Sequence, residues 1–493
     1  MTKTTLILPS ESDLRSSLDR TRHRVDPVAW VNDRLKEHLW SKQKEILYSV
    51  RDHRRTAVHS CHGPGKSFCS ARVICWFMSS FPVGKAFAVT TASKGAQVKA
   101  VLWREIARAH AKGKLPGRLN QTEWWMQPVE GNEELVAFGR KPADMDTSAF
   151  QGIHAQRVLV VLDEAQGITT TLWDSLDSLL SNEKCRMLAI GNPEPETEFE
   201  NVCKAGSGWN VIHISYLHTP NFTSEEVPED VRDVLIGPTW VEEKKRKWGE
   251  TNPLYVAKVL GEFPKIMKDG VFHPTWIRQA QEYEADIPES LIPLLPNELG
   301  VDVGGGRNKS VIAHRLGSRV RIVQRDSDPN TMVLLGHVIQ QLKLTGASIA
   351  KVDKIGIGKG VVDRAEEIVR NREANWVWCQ KIKGANVALP SNEPEDFINL
   401  RAETYWTLRT RAETSTLDLP SDSDLGGDDL AAQLLDLKWR PSGGRTQIES
   451  KEEIRRSGRT SPDEADAVML SFLKMPSGMV VEEEQEEIDL VLD

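Results

Sequence analysis

The sequence predicts an α/β protein of two domains in tandem, the first built on a parallel-rich sheet and the second on a mixed sheet. Three observations lead there. At 493 residues the chain is longer than one ordinary hydrophobic core organises. Between about 25 and 215, apolar β-rich runs alternate with segments long enough for helical crossovers, the pattern of a parallel sheet covered by helices. From Leu299 three strand signals follow one another, and helices and strands then alternate.

In the first half the strand candidates are TAVHS (56–60), KAFAVTT (85–91), ELVAFG (134–139), VLVVLD (158–163) and RMLAIG (186–191), with helices expected over 68–81, 97–111 and 170–180. Residues 216–295 carry Pro220, Pro228, Pro238, Pro253, Pro264, Pro274, Pro288 and Pro293 and a basic stretch at 241–248, and read as a connecting subdomain. The second domain, 296–476, opens with LGVDVG, SVIAHRLG and RVRIVQRD; a helix over 331–344, a strand IAKVD (349–353), a further helix and a strand WVWCQKI (376–382) follow. Three strands and then alternating helices and strands is the order of a ribonuclease-H-like domain.

Composition narrows the class. Apolar residues at 39% and charged residues at 27% describe a globular protein, and no stretch is long and apolar enough to span a bilayer. The start, MTKTTLILPSESD, lacks the layout of a signal peptide, so a cytoplasmic location and no membrane partner are expected. The six cysteines, Cys61, Cys69, Cys75, Cys185, Cys203 and Cys379, show no CxxC spacing and are expected to be reduced. Much of the net charge of -8 sits in the tail 477–493, where Glu482, Glu483, Glu484, Glu486, Glu487, Asp489 and Asp493 stand without a basic residue, the pattern of a solvated, disordered segment. The near-neutral remainder is compatible with DNA binding through local basic patches.

Chemistry enters at Ser60-Cys61-His62-Gly63-Pro64-Gly65-Lys66-Ser67, placed between a strand and an apolar helix. Backbone amides at a helix N-terminus, with Gly63 and Gly65 permitting close approach, suit phosphate binding; Lys66 would reach the terminal phosphates and Ser67 a Mg²⁺ ion. Ser60 stands where the first glycine of the usual pattern is expected. About a hundred residues on, the apolar run Leu159 to Leu162 leads into Asp163 and Glu164, a buried strand ending in two carboxylates: Asp163 to hold Mg²⁺ and Glu164 to polarise the attacking water. LAIGNP ends in Asn192, a candidate sensor of the γ-phosphate, and Gln43 lies about twenty residues before the loop, where adenine recognition is expected. The arginine that completes such a transition state is expected at Arg140, with Arg157 and Arg104 behind it. Together these describe a P-loop ATPase domain using ATP with Mg²⁺.

In the second domain Asp302 lies within an apolar strand before Gly304, Gly305 and Gly306; Asp353 ends IAKVD before Gly356, Gly358 and Gly360; Asp463 and Asp466 open an apolar helix at i, i+3 spacing that puts both on one face. Carboxylates converging from two strand ends and one helix repel one another unless cations intervene, and two Mg²⁺ or Mn²⁺ ions in such a cluster support phosphodiester hydrolysis. Asp302, Asp353 and Asp466 are the expected ligands, with Asp463 behind Asp466.

The motif order HGPGKS, VLVVLDEA, LAIGNP, GVDVGGG, VDKIGIGKGVVDR and SPDEADAVMLSF, over residues 30 to 475, resembles that of the large terminase subunit of tailed bacteriophages. The resemblance implies an ATP-driven motor that assembles as a homo-oligomeric ring on the portal protein of a procapsid. Such a motor threads double-stranded DNA inward, cuts concatemers with its nuclease, and works with a small terminase subunit in the cytoplasm of an infected bacterium. It places ATPase roles on Lys66, Ser67, Asp163 and Glu164 and metal-binding roles on Asp302, Asp353 and Asp466. A P-loop DNA motor or helicase-nuclease without a capsid partner shares the ATP site, though no further helicase motif stands between 195 and 295. A DNA-binding assembly protein with a silenced nuclease is opposed by the intact aspartates. Lys244, Lys245, Arg246 and Lys247 are DNA-contact candidates or a solvated helix face.

Overall fold

The structure is a computed structural model that describes residues 21–92, 98–128, 131–140, 155–306 and 308–475; the predicted acidic tail lies outside them. The chain divides into two compact units after Lys265. Residues 216–265 therefore group with the first unit and 266–295 with the second.

The first unit holds β1 (Arg55–Ser60), β2 (Ala86–Ala92), β3 (Arg118–Asn120), β4 (Glu123–Met126), β5 (Glu134–Gly139), β6 (Arg157–Asp163), β7 (Arg186–Gly191) and β8 (Asn210–Ile214). They form one sheet in the order β3-β4-β5-β2-β6-β7-β1-β8. From β5 to β8 every pairing is parallel, and β3 and β4 add an antiparallel edge. The central strands read as continuous apolar runs because both faces are covered. Val58, Leu159, Val161, Leu188 and Ile190 pack on one side with helices Ser41–Asp52 and Lys66–Ser79. Ala57, Val158, Val160, Met187 and Ala189 pack on the other with helix Thr170–Asp177. Three strands escaped the sequence: β3 is only three residues, β4 is an EWWM run, and β8 (NVIHI) gains its pairing from β1. The helix expected over 97–111 is described from Val98 as a π-helical turn, Val98–Trp103, running into helix Arg104–Gly113.

The second unit holds β9 (Asn297–Asp302), β10 (Ser310–Leu316), β11 (Arg319–Asp326), β12 (Ile349–Asp353) and β13 (Ile382–Ala385), in the order β11-β10-β9-β12-β13. The first three are antiparallel to one another, and β12 runs parallel to both β9 and β13, which is the ribonuclease-H-like arrangement expected. The strand predicted at 376–382 is a correction: Trp376–Cys379 is one helical turn entered through Asn375 at φ 70°, and the strand begins at Ile382. Short aromatic runs suit a strand or a buried turn equally by composition, and here Trp376 and Trp378 pack their rings against the core from the turn.

Helix Asp463–Phe472 lies across β9 and β10 and is buried along its whole length. Gly300 permits this approach: a β-carbon there would collide with the Ala467 carbonyl and the Ser471 amide. The close contact brings the first turn of the helix to the C-terminal end of β9.

Candidate functional site

The nucleotide site is built at the C-terminal ends of β1, β6 and β7, where parallel α/β sheets bind ligands. The turn after β1 needs left-handed backbone at Gly63 (φ 71°) and Gly65 (φ 84°), and helix Lys66–Ser79 starts at the lysine itself. Lys66 Nζ donates to Asn192 Oδ1 at 3.0 Å, and Asn192 Nδ2 donates to the Ser60 carbonyl at 2.8 Å. The Asn192 amide thus ties β7 to both ends of the loop. Ser67 Oγ donates to Asp163 Oδ2 at 3.1 Å, while Asp163 Oδ1 is buried without a hydrogen-bond partner. Burial, reinforced by the Glu164 charge, pushes the Asp163 carboxyl up to about 7 against the opposing pull of Ser67 and Lys66. A hard cation beside Ser67 and Asp163 would satisfy the free oxygen and remove that cost, so these residues fit Mg²⁺. Glu164 sits at φ 50° and accepts a hydrogen bond from Gln166 Nε2 at 2.8 Å.

Gln43 is brought to the loop: its Nε2 donates to the Pro64 carbonyl at 3.4 Å and stands 2.7 Å from where a Gly65 β-carbon would be. Arg140 is not brought to it. It follows β5, which is four strand positions from β1, about 19 Å at the usual interstrand spacing, and its guanidinium lies over the Phe138 ring. From β6, whose end carries Asp163 and Glu164, β5 is two strand positions away. Arg157 begins β6, at the N-terminal end of the strand and away from the site at its C-terminal end, and its guanidinium lies over the Phe81 ring.

The segment 256–261 was not legible as part of this site. The Cys61 amide donates to the Ile214 carbonyl, the His62 amide to the Lys258 carbonyl, and Gly261 (φ 68°) fits against Cys61 and Ile214 with no room for a β-carbon. In the basic helix Pro238–Trp248, Lys244 is buried against the Trp240 and Trp248 rings, Lys245 pairs with Glu250 and Lys247 with Glu243. Most of that expected DNA-contact patch is thus committed within its own unit.

In the second unit Asp302 ends β9, Asp353 ends β12, and Asp463 and Asp466 open the helix laid across them. Asp302, Asp353 and Asp466 lie together about a cation the sequence reading missed, with Asp463 in the same helical turn as Asp466. Lys451 Nζ contacts Asp302, Asp466 Oδ2 at 3.1 Å and Asp353 Oδ2 at 3.4 Å. It reaches them from the first residue of helix Lys451–Arg456, capped by Ser450, and only tertiary contact reveals it. With an ammonium at the centre, no three His, Cys, Asp or Glu side chains among the described residues stand in metal-binding geometry. In this arrangement Lys451 stands among the carboxylates expected as metal ligands.

The donor chemistry still fits a divalent cation: hard, buried carboxylate oxygens, with Asp466 Oδ2 met only by the Lys451 ammonium. Burial drives the Asp302 carboxyl up to about 7 although Lys451 opposes it, and drives Asp463 up to about 6. For Asp466 burial acts in the same sense, but the Arg401 guanidinium, then Lys451 and Tyr405, hold the carboxyl below its ordinary value. Burial opposes the charge on Lys451, yet Asp302, Asp466 and Asp353 keep it firmly protonated.

No protein-family model matches the chain. A probable terminase large subunit of Enterobacteria phage P7 is 23% identical over 485 residues, covering 91% of each chain. The chain resembles a terminase large subunit over nine-tenths of its length. The large terminase of a thermophilic bacteriophage covers 88% of this chain and 98% of its own, with 11% identity and a TM-score of 0.40. The nuclease domain of the large terminase subunit of bacterial virus Sf6 covers 42% of this chain and all of its own, with 17% identity and a TM-score of 0.32. At 91% of the chain, the likeness in sequence extends into both units.

Proposed function

We propose that the chain is the enzymatic subunit of a viral DNA-packaging machine, in which ATP hydrolysis drives double-stranded DNA into a procapsid and a metal-dependent endonuclease cuts the concatemer. The observation that carries this reading is the pairing, on one chain similar to a terminase large subunit, of a P-loop site with a ribonuclease-H-like carboxylate centre. ATP with Mg²⁺ serves the first site and Mg²⁺ or Mn²⁺ the second.

At the first site, amides of the loop and the helix N-terminus cradle the phosphates, and Lys66 neutralises their charge. Ser67 and Asp163 hold Mg²⁺, and Glu164, oriented by Gln166, takes the proton of the attacking water. Asn192 exchanges Lys66 for phosphate as nucleotide comes and goes, which moves β7 against the loop. Arg140, four strand positions from its own phosphate loop, is assigned to the site of a neighbouring subunit, which requires a ring.

At the second site divalent ions supply water activation and leaving-group stabilisation when bound. Asp302, Asp353 and Asp466 hold them, Asp463 lies beside Asp466, and Lys451 balances charge in their absence. The portal protein and a small terminase subunit are the proposed partners, in the cytoplasm of an infected bacterium; no described helix is long and apolar enough to cross a membrane.

The test is plasmid cleavage with Mg²⁺ or Mn²⁺ run beside ATP hydrolysis on wild type, Asp353→Ala and Lys66→Ala. Asp353→Ala is expected to abolish cutting and spare ATPase, and Lys66→Ala to do the reverse. Failure of wild type to cut with either metal would overturn the nuclease half of the reading.

A further inference from the structure

Helix Leu400–Glu413 places Arg401 and Tyr405 one turn apart on one buried face. Tyr405 is wholly buried and the Arg401 guanidinium lies 4.9 Å from its ring centre. Both aim at the same atom: Arg401 Nη1 donates to Asp466 Oδ1 at 2.6 Å, and the Tyr405 hydroxyl donates to that oxygen as well. Arg401 Nε donates to the Glu449 carbonyl at 3.2 Å, two residues before Lys451. One side chain therefore fixes both Asp466 and the segment that delivers the ammonium to the carboxylates.

Helix stability does not account for this placement. A cation in the first turn opposes the helix dipole, and a buried guanidinium is costly unless an anion needs it there. A tyrosine hydroxyl in the core is likewise kept where it finds a partner. The consequence is an asymmetry at Asp466: Oδ1 is occupied by two donors from helix Leu400–Glu413, whereas Oδ2 meets only the Lys451 ammonium, at 3.1 Å.

We propose that Arg401 and Tyr405 are positioning residues of the nuclease centre, which occupy Oδ1 of Asp466 and present Oδ2 alone to a divalent cation. Asp466 is then a one-oxygen ligand of fixed direction, while Asp302 and Asp353 adjust from their strand ends. The inference deepens the metal-dependent nuclease reading and rests on it. Partners that orient a metal ligand in this way are typically worth 10–100-fold in metal affinity.

The experiment is calorimetric titration of the full chain, without nucleotide, with Mn²⁺ alone. The proteins are wild type, Tyr405→Phe, Arg401→Lys, Thr404→Val and Asp302→Asn, with melting temperature and ATP turnover measured on each. Tyr405→Phe keeps the ring and removes only the hydroxyl. Thr404→Val removes a buried hydroxyl on the same helix that bonds the Leu400 carbonyl, and controls for loss of packing and hydrogen bonding in general. The expected result is Mn²⁺ affinity about 10–100-fold weaker in Tyr405→Phe and Arg401→Lys, unchanged in Thr404→Val, with ATP turnover unaffected. Wild-type affinity in Tyr405→Phe, or an equal loss in Thr404→Val, would overturn the assignment; should Tyr405→Phe fail to fold, Arg401→Lys decides the same question. If wild type and Asp302→Asn bind Mn²⁺ indistinguishably, the carboxylate centre holds no metal, and the site reading fails before the positioning claim.

Discussion

Replacing Lys451 by alanine tests the electrostatics of the carboxylate centre directly. The ammonium is the one cation in contact with Asp302, Asp353 and Asp466 together among the described residues, and the first and third of these are almost fully buried. Removing one partner of a buried ion pair costs about 3–5 kcal/mol, because the remaining charge stays buried without compensation. A quarter of the Lys451 side chain reaches solvent, which favours the lower end, about 3 kcal/mol. For a unit the size of residues 266–493 that is a fall in melting temperature of roughly 6–12 °C.

The loss should depend on pH. Asp302 already sits at about 7 in the folded chain, and without the lysine it moves higher. An acid raised on folding holds a proton that the unfolded chain releases, so its neutral form protects the folded state at low pH and that protection fades as pH rises. The deficit of Lys451→Ala is therefore expected to be larger at pH 8 than at pH 6. Mn²⁺ should reverse it, since a ligand at a hundred times its dissociation constant returns about 2.7 kcal/mol. The assay is calorimetric melting at several pH values with Mn²⁺ titrated in. A variant that melts with wild type throughout, or the same Mn²⁺ shift in both proteins, would refute the argument.

Asp163 and Asp302 both stand at about 7, so the metal-free chain should lose stability from these groups between about pH 4 and 7, and saturating Mg²⁺ should flatten the slope; an unchanged slope with Mg²⁺ counts against both sites. Asn192→Ala deprives Lys66 of a charge-assisted hydrogen bond, worth about 1.5–3 kcal/mol, and is expected to lower kcat for ATP about 10–100-fold; steady-state kinetics with an unchanged kcat would remove Asn192 from the mechanism. Gly261→Ala forces a β-carbon against Cys61 and Ile214 at φ 68°, a strain of about 1–3 kcal/mol carried into the phosphate loop, so ATP affinity measured by calorimetry should fall and wild-type affinity would show that the segment does not buttress the loop. Arg140→Ala should lose ATPase activity, and mixing it with Lys66→Ala chains should restore part of it if Arg140 acts across subunits; no recovery on mixing would contradict the trans assignment.

What the sequence by itself determined is whatever a local pattern encodes. Apolar runs ending in chemistry located β1, β6 and β7, and with them Lys66, Ser67, Asp163, Glu164 and Asn192, because a parallel strand buried on both faces is continuous in its hydrophobicity and carries its ligand groups at its end. Asp302 stood out as a carboxylate inside an apolar strand, and the spacing of Asp463 and Asp466 announced a shared helix face.

Only the tertiary structure decided which distant groups meet those residues. Lys451 lies 149 positions from Asp302, and Arg401 65 from Asp466, and each looks in sequence like one more basic residue near a helix start. Likewise Gly261 reads as a helix end until the fold sets it under the phosphate loop. A local pattern records which face of an element is buried; which charge balances a buried carboxylate is set by how the elements pack, and that information is spread across the whole chain.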